Sequence, residues 1–155
     1  MFEKILVPLD GSEHSSKALG IAIQLAKKFK GSITLIHAYS VVSRVVVAPE
    51  PTTLTPPMAP IITPLDVSKI AETARKTGNS ILADGEEKVK AEGIQVEALL
   101  REGNIVQEIV NAAGQGSFDL IVMGARGISK IKELLLGSVS DGVIRNAPCP
   151  VLVVK

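Results

Sequence analysis

Five short apolar runs constrain this chain more than any other feature: Lys4 to Leu9, Ser32 to His37, Gln95 to Leu100, Asp119 to Met123 and Pro150 to Val154. Most are continuous rather than alternating, rich in Val, Ile and Leu, and 5 or 6 residues long. A strand with one wet face alternates apolar and polar residues. A parallel strand covered by helices on both faces does not. The runs therefore predict interior strands of a parallel sheet.

Segments of helical period lie between them. Ser12 to Lys30 places Ala18, Ala22, Leu25, Ala26 and Phe29 on one stripe, with Ser12 as candidate N-cap and Gly31 just past the end. Asp66 to Glu92 repeats Ile70, Ala74, Ile81 and Val89 and stops at Gly93. Gly78 and Gly85 inside it cost about 1 kcal/mol each relative to Ala, which leaves room for a bend or break. Asn104 to Ala113 carries Ile105, Val106, Ile109, Val110 and Ala113, and a last short helix follows Gly137 with Val139, Val143 and Ile144 expected to face inward. Strand and helix in strict alternation predict an open α/β sheet with right-handed crossovers.

One stretch breaks the alternation. Tyr39 to Leu65 holds six of the nine prolines (Pro49, Pro51, Pro56, Pro57, Pro60 and Pro64) and no glycine. Proline removes donors and fixes φ, so an extended, poorly hydrogen-bonded loop is expected over about 39–65. A linker between two domains is rejected, because two strands before it could not form a domain. The segment reads as an insertion within a single domain spanning 1–155, placed near the strands' carboxyl ends as a mobile lid or a solvent-exposed spacer. A chain of 155 residues buries roughly 70% of its unfolded surface, enough for one core without a disulfide or structural metal.

Charge and composition exclude several functions. The 17 basic residues nearly cancel the 16 acidic ones, leaving +1 and no global field to attract a polyanion. The aromatic residues, Phe2, Phe29, Tyr39 and Phe118, are too scattered for a base-stacking platform. No nucleic-acid partner is expected. No run approaches the roughly 18 apolar residues of a membrane span, and the N-terminus lacks the regions of a signal peptide. A cytoplasmic protein without membrane partners is expected. Cys149 sits between two prolines with no basic neighbour, which predicts a structural thiol rather than a reactive one.

In an open parallel sheet, ligands bind beyond the strands' carboxyl ends, where winding reverses. After the first strand comes Pro8-Leu9-Asp10-Gly11-Ser12, and after the fourth Gly124-Ala125-Arg126-Gly127, then a tract leading to Gly137-Ser138-Val139-Ser140. Glycines let a backbone approach a ligand closely, hydroxyls donate, and a helix N-terminus presents N–H groups to an anion. Either piece alone reads more simply as a turn or a cap. The usual phosphate motifs are absent: Gly137 and Gly142 have the P-loop spacing, but Val143 follows where Lys is needed. His14 and His37 are isolated and read as ordinary surface or edge residues, and no metal site is expected. Asp10 lacks the acidic neighbour of a receiver-type phosphoacceptor, and no G-x-S-x-G elbow exists.

One long-spaced pattern remains. Gly124 and Gly127 are two residues apart, and nine residues then precede Gly137-Ser138. This G-x2-G-x9-G-[ST] arrangement resembles the nucleotide-binding motif of the universal stress protein family. The resemblance covers the whole chain, including the opening Ile5-Leu6-Val7-Pro8-Leu9-Asp10-Gly11-Ser12, the run Asp119 to Gly124, and the ending Ala147-Pro148-Cys149-Pro150-Val151-Leu152-Val153-Val154. The proline-rich insertion departs from the compact pattern.

The resemblance implies a five-stranded sheet ordered 3-2-1-4-5, with helices on both faces and an ATP site between strands one and four. By position, Pro8 and Asp10 would flank the adenosine, Ala38 would offer backbone to the adenine, and Met123 would pack against it. Gly124, Arg126 and Gly127 would line ribose and phosphates, and Gly137, Ser138, Val139 and Ser140 would bind the phosphate tail, with any Mg or Mn held through the phosphates. It also implies a homodimer through strand five, Pro150 to Val154. The function implied is a nucleotide-dependent stress-response regulator with weak or no hydrolysis. A slow ATPase and a partner-binding module without nucleotide turnover are the alternatives. A related ligase or pyrophosphatase is disfavoured, because its Ser-Gly-Gly loop is replaced here by Leu9-Asp10-Gly11-Ser12. Efficient phosphoryl transfer needs a positioned metal and a residue orienting water, and only Glu133 and Asp141 are acids near the motif.

Overall fold

The apolar runs become five strands: β1 (Lys4–Pro8), β2 (Ser32–Tyr39), β3 (Val96–Glu102), β4 (Leu120–Gly124) and β5 (Val151–Val154). All pairs are parallel, in the order β3-β2-β1-β4-β5 expected from the resemblance. The connecting helices are α1 (Glu13–Phe29), α2 (Pro64–Ala91), α3 (Ile105–Gln115) and α4 (Ser138–Asn146). This computed structural model describes residues 2–41, 64–127 and 136–155. Most of the proline-rich stretch, and with it the expected lid or spacer, lies outside the described residues. Among the described residues no helix is long and apolar enough to cross a membrane.

Alternate strand residues feed two separate layers of core. Ile5, Val7, Ile33, Leu35, Leu120, Val122 and Val154 pack with Ala18, Leu19 and Ala22 of α1 and Leu82 and Val89 of α2. On the other face Leu6, Ile36, Ile121 and Met123 pack with Ile109, Ala112 and Ala113 of α3 and Val143 of α4. Two dry faces explain why the strands read as continuous apolar runs. Ile5, Leu6 and Val7 have no exposed surface, and burying each such side chain stabilises by roughly 1.5–3 kcal/mol.

Ser12 caps α1 as expected, its side chain accepting from the Ser15 N–H at 3.1 Å. At the other end Lys30, not Gly31, takes the left-handed conformation, with φ 56°. Gly31 answers a different demand: a Cβ there would lie 2.7 Å from the Phe2 carbonyl oxygen. Helix α2 is continuous over 28 residues and begins at Pro64, where a missing N–H costs nothing because no intrahelical acceptor exists. The break allowed for at Gly78 and Gly85 does not occur. Those glycines let the helix approach the sheet, since a Cβ at Gly78 would lie 2.6 Å from His37 and Leu100 side-chain atoms, and one at Gly85 2.7 Å from Leu9. Ile144 was expected inside and is 41% exposed. Val139 packs on the inner layer and Gly142 against Val106 of α3, whereas Ile144 lies on the opposite flank of the helix.

Asp119 joins β1 and β4 at their amino ends. Its Oδ2 accepts the Glu3 and Lys4 N–H groups at 2.9 and 3.0 Å, and these bonds hold its carboxyl below the usual aspartate range. A lowered native pKa means stability that is complete above the unfolded value near pH 4 and lost as pH falls through the native one. Melting temperature measured against pH is therefore expected to drop in acid more steeply for the natural protein than for Asp119→Ala. Parallel curves would refute that link. Cys149 is half-buried, and burial together with the Asp119 charge pushes its thiol pKa up, consistent with an unreactive packing role.

Candidate functional site

Winding reverses between β1 and β4, which places a crevice at their carboxyl ends. On the β1 side the chain leaves Pro8, which is half-buried, and the Leu9 N–H donates to the Ile36 carbonyl oxygen at 2.8 Å. Asp10 then folds its Oδ1 back to accept the Ser12 N–H at 3.0 Å. This turn fixes the carboxylate, and its other oxygen, Oδ2, lies against Gly127 where a Cβ would have to sit. The first and fourth connections therefore touch through Asp10 and Gly127.

On the β4 side, Gly124 is held by protein packing. A Cβ there would lie 2.8 Å from the His14 carbonyl carbon, so the glycine admits the first turn of α1. Ala125 then gathers the two halves of the spaced glycine pattern. Its buried carbonyl oxygen accepts the Gly137 N–H at 2.8 Å and lies 2.8 Å from the Ser140 hydroxyl. These contacts hold the end of β4 against the start of α4. Arg126 is half-buried between Ala125 and the exposed Gly127.

Gly137 is the N-cap of α4 and provides no side-chain cap bond. Asp141 is the first residue of this helix to donate within it, to the Gly137 carbonyl at 3.0 Å. The N–H groups of Ser138, Val139 and Ser140 therefore lie at the positive end of the helix without intrahelical acceptors. A Cβ at Gly137 would make only ordinary contacts, the nearest at 3.5 Å, and its φ is −77°. Packing among the described residues does not require glycine at this position.

The two serines of this turn diverge. Ser138 is exposed, while Ser140 is 2% exposed with its hydroxyl 2.8 and 2.9 Å from the Ala125 and Gly137 carbonyl oxygens. Only the Ser138 hydroxyl faces outward. Met123 is 4% exposed within the α3–α4 layer, and Ala38, half-buried near the end of β2, pairs with Arg101 of β3. The Asp141 carboxylate is paired with Arg145 at 2.9 Å, and Glu133 lies outside the described residues. Among the described residues no group of three His, Cys, Asp or Glu side chains is arranged to hold a metal ion.

Sequence reasoning missed Ala125 and His37. An alanine carbonyl leaves no signature in a sequence. His37 looked ordinary because it was isolated, yet its Nδ1 lies 2.7 Å from the Leu9 carbonyl oxygen.

These features define a doubly wound α/β protein whose switch point brings together a carboxylate turn, a glycine pair and a helix N-terminus capped by glycine. The universal stress protein family model matches residues 1–155, and the chain belongs to that family. It is 36% identical to universal stress protein YxiE of Bacillus subtilis over the full length of both chains. Its fold matches the solved structure of the hypothetical protein MJ0577 with a TM-score of 0.82 and 25% identity, covering 100% of this chain and 96% of the other. A universal stress protein solved in complex with cAMP matches at a TM-score of 0.67 and 28% identity, covering 99% and 97%.

Proposed function

We propose that this protein binds ATP at the crevice between β1 and β4 and acts as a nucleotide-dependent regulator in the stress response, with weak or no hydrolysis. Gly137 carries the reading. A helix N-cap usually gains from Ser, Thr, Asp or Asn, and among the described residues nothing excludes a side chain here. Glycine at this point removes an obstacle in front of three helix N–H groups, which suits the close approach of a phosphate. Gly127 and the Asp10 carboxylate form the neighbouring wall, where ribose hydroxyls can donate to Asp10. The related protein solved with cAMP supports an adenine nucleotide as the ligand class.

Binding is favoured over turnover by the pairing of Asp141 with Arg145, which occupies the one described acid of the α4 turn. Any Mg or Mn would be carried through the phosphates. The active unit in this proposal is one domain over 1–155, paired with a second copy along β5. Mass spectrometry of small molecules released from the purified, acid-denatured protein is expected to find ATP. If no nucleotide is released and neither ATP nor AMP binds in calorimetry, the proposal fails.

A further inference from the structure

His37 is not among the residues that would touch a nucleotide, yet one contact connects it to their placement. Its Nδ1 lies 2.7 Å from the Leu9 carbonyl oxygen, and a carbonyl only accepts, so Nδ1 carries the proton. Leu9 immediately precedes Asp10, whose carboxylate lies against Gly127. The ring itself has little freedom. It stacks on Tyr39 with centroids 6.4 Å apart, and α2 closes over it at Gly78, where a Cβ would lie 2.6 Å from His37 Cδ2. Tyr39 in turn donates to Glu102 of β3 at 3.2 Å.

We infer that His37 is a positioning residue for the nucleotide site, holding the Leu9 carbonyl through Nδ1–H so that Asp10 faces the crevice beside Gly127. The inference rests on the proposed nucleotide binding and adds to it a residue that need not touch the ligand. The physical reason lies in the β1–α1 connection. Leu9 follows the last strand residue, and its N–H is already bound to Ile36. Fixing the carbonyl as well leaves the peptide plane between Leu9 and Asp10 a single orientation. That plane determines where the Asp10 side chain starts. Without the imidazole donor the plane can rotate, and the carboxylate loses its setting against Gly127.

Three variants of the full chain test this, with ATP and AMP affinities measured by calorimetry. His37→Leu fills the space without a donor. His37→Asn places an amide N–H where Nδ1 was, and His37→Gln places one near the Nε2 position instead. His37→Leu is expected to weaken ATP binding about tenfold or more, the effect of losing one well-made bond at a placed group. His37→Asn should recover the affinity whether or not it recovers the melting temperature, and His37→Gln should not. A merely structural histidine predicts affinity that follows stability across all three. A folded His37→Leu variant binding ATP as tightly as the natural protein overturns the inference and leaves nucleotide binding standing. Failure of the natural protein to bind either nucleotide overturns both. Should His37→Leu not fold, nitrogen-15 spectra of the natural protein decide. An Nδ1–H tautomer whose proton exchanges more slowly on adding ATP supports the inference. An Nε2–H tautomer, or exchange unchanged by ATP, refutes it.

Discussion

Replacing Gly127 by Val is expected to abolish ATP binding while the protein keeps its fold. A side chain at this position meets the Asp10 carboxylate directly, and that carboxylate cannot move away without surrendering its bond to the Ser12 N–H. The same side chain narrows the crevice between β1 and the α4 N-terminus. A loss of affinity of at least a hundredfold is expected, about 2.7 kcal/mol or more. Gly127 is exposed and lies beyond the last residue of β4, so the melting temperature should change little. Gly124→Val is the informative contrast. It drives a side chain into the backbone of α1 and should destabilise the fold by roughly 1–3 kcal/mol, the usual range for overpacking. Calorimetric titration alongside thermal melting separates the two outcomes. Undiminished ATP affinity in folded Gly127→Val would remove Gly127 from the site.

Val153→Pro is expected to weaken the proposed pairing of two copies along β5. Strand β5 is an edge, bonded only to β4. The Pro150 and Val154 carbonyl oxygens point to β4, accepting from Ile121 and Ala125 at 2.9 and 2.7 Å. Backbone groups alternate along a strand, so Val151 and Val153 direct their N–H and C=O groups outward. That outward row is short, β-branched and self-complementary, with Leu152 37% exposed beside it. It suits antiparallel pairing with its own copy about a two-fold axis, which would also protect an edge prone to aggregation. Proline at 153 deletes an outward donor and leaves the bonds to β4 in place. Symmetry doubles the loss. Two missing bonds of about 1 kcal/mol each correspond to a dimer dissociation constant raised more than tenfold. Sedimentation equilibrium reads the change directly. A natural protein that sediments as a monomer at micromolar concentration would refute the proposed assembly.

The strands and most of the helices were legible in the sequence because burial on both faces leaves an unmistakable local pattern, whereas the order of the strands came from the family resemblance alone. Continuous runs such as Ile5 to Val7 and Ile121 to Met123 admit few other structures. The spaced glycines were legible too, since glycine and serine positions survive as a one-dimensional motif. What each of those residues does was decided in three dimensions. Gly124, Gly127 and Gly137 are identical letters, yet the first admits a helix, the second faces a carboxylate, and the third meets only ordinary contacts among the described residues. Ser138 and Ser140 both suggested hydroxyls for a ligand, and helical geometry turned the second inward to the Ala125 carbonyl. Gly78 and Gly85 suggested a broken helix on propensity alone, and close packing against the sheet explains why α2 tolerates them without a break. His37 carried no signal because its partner is a backbone carbonyl 28 residues away. Sequence by itself determined which segments must be buried, because hydrophobic pattern is local. Only the tertiary structure decided which backbone groups those segments bring within hydrogen-bonding distance, because such contacts depend on chain crossings that no short pattern encodes.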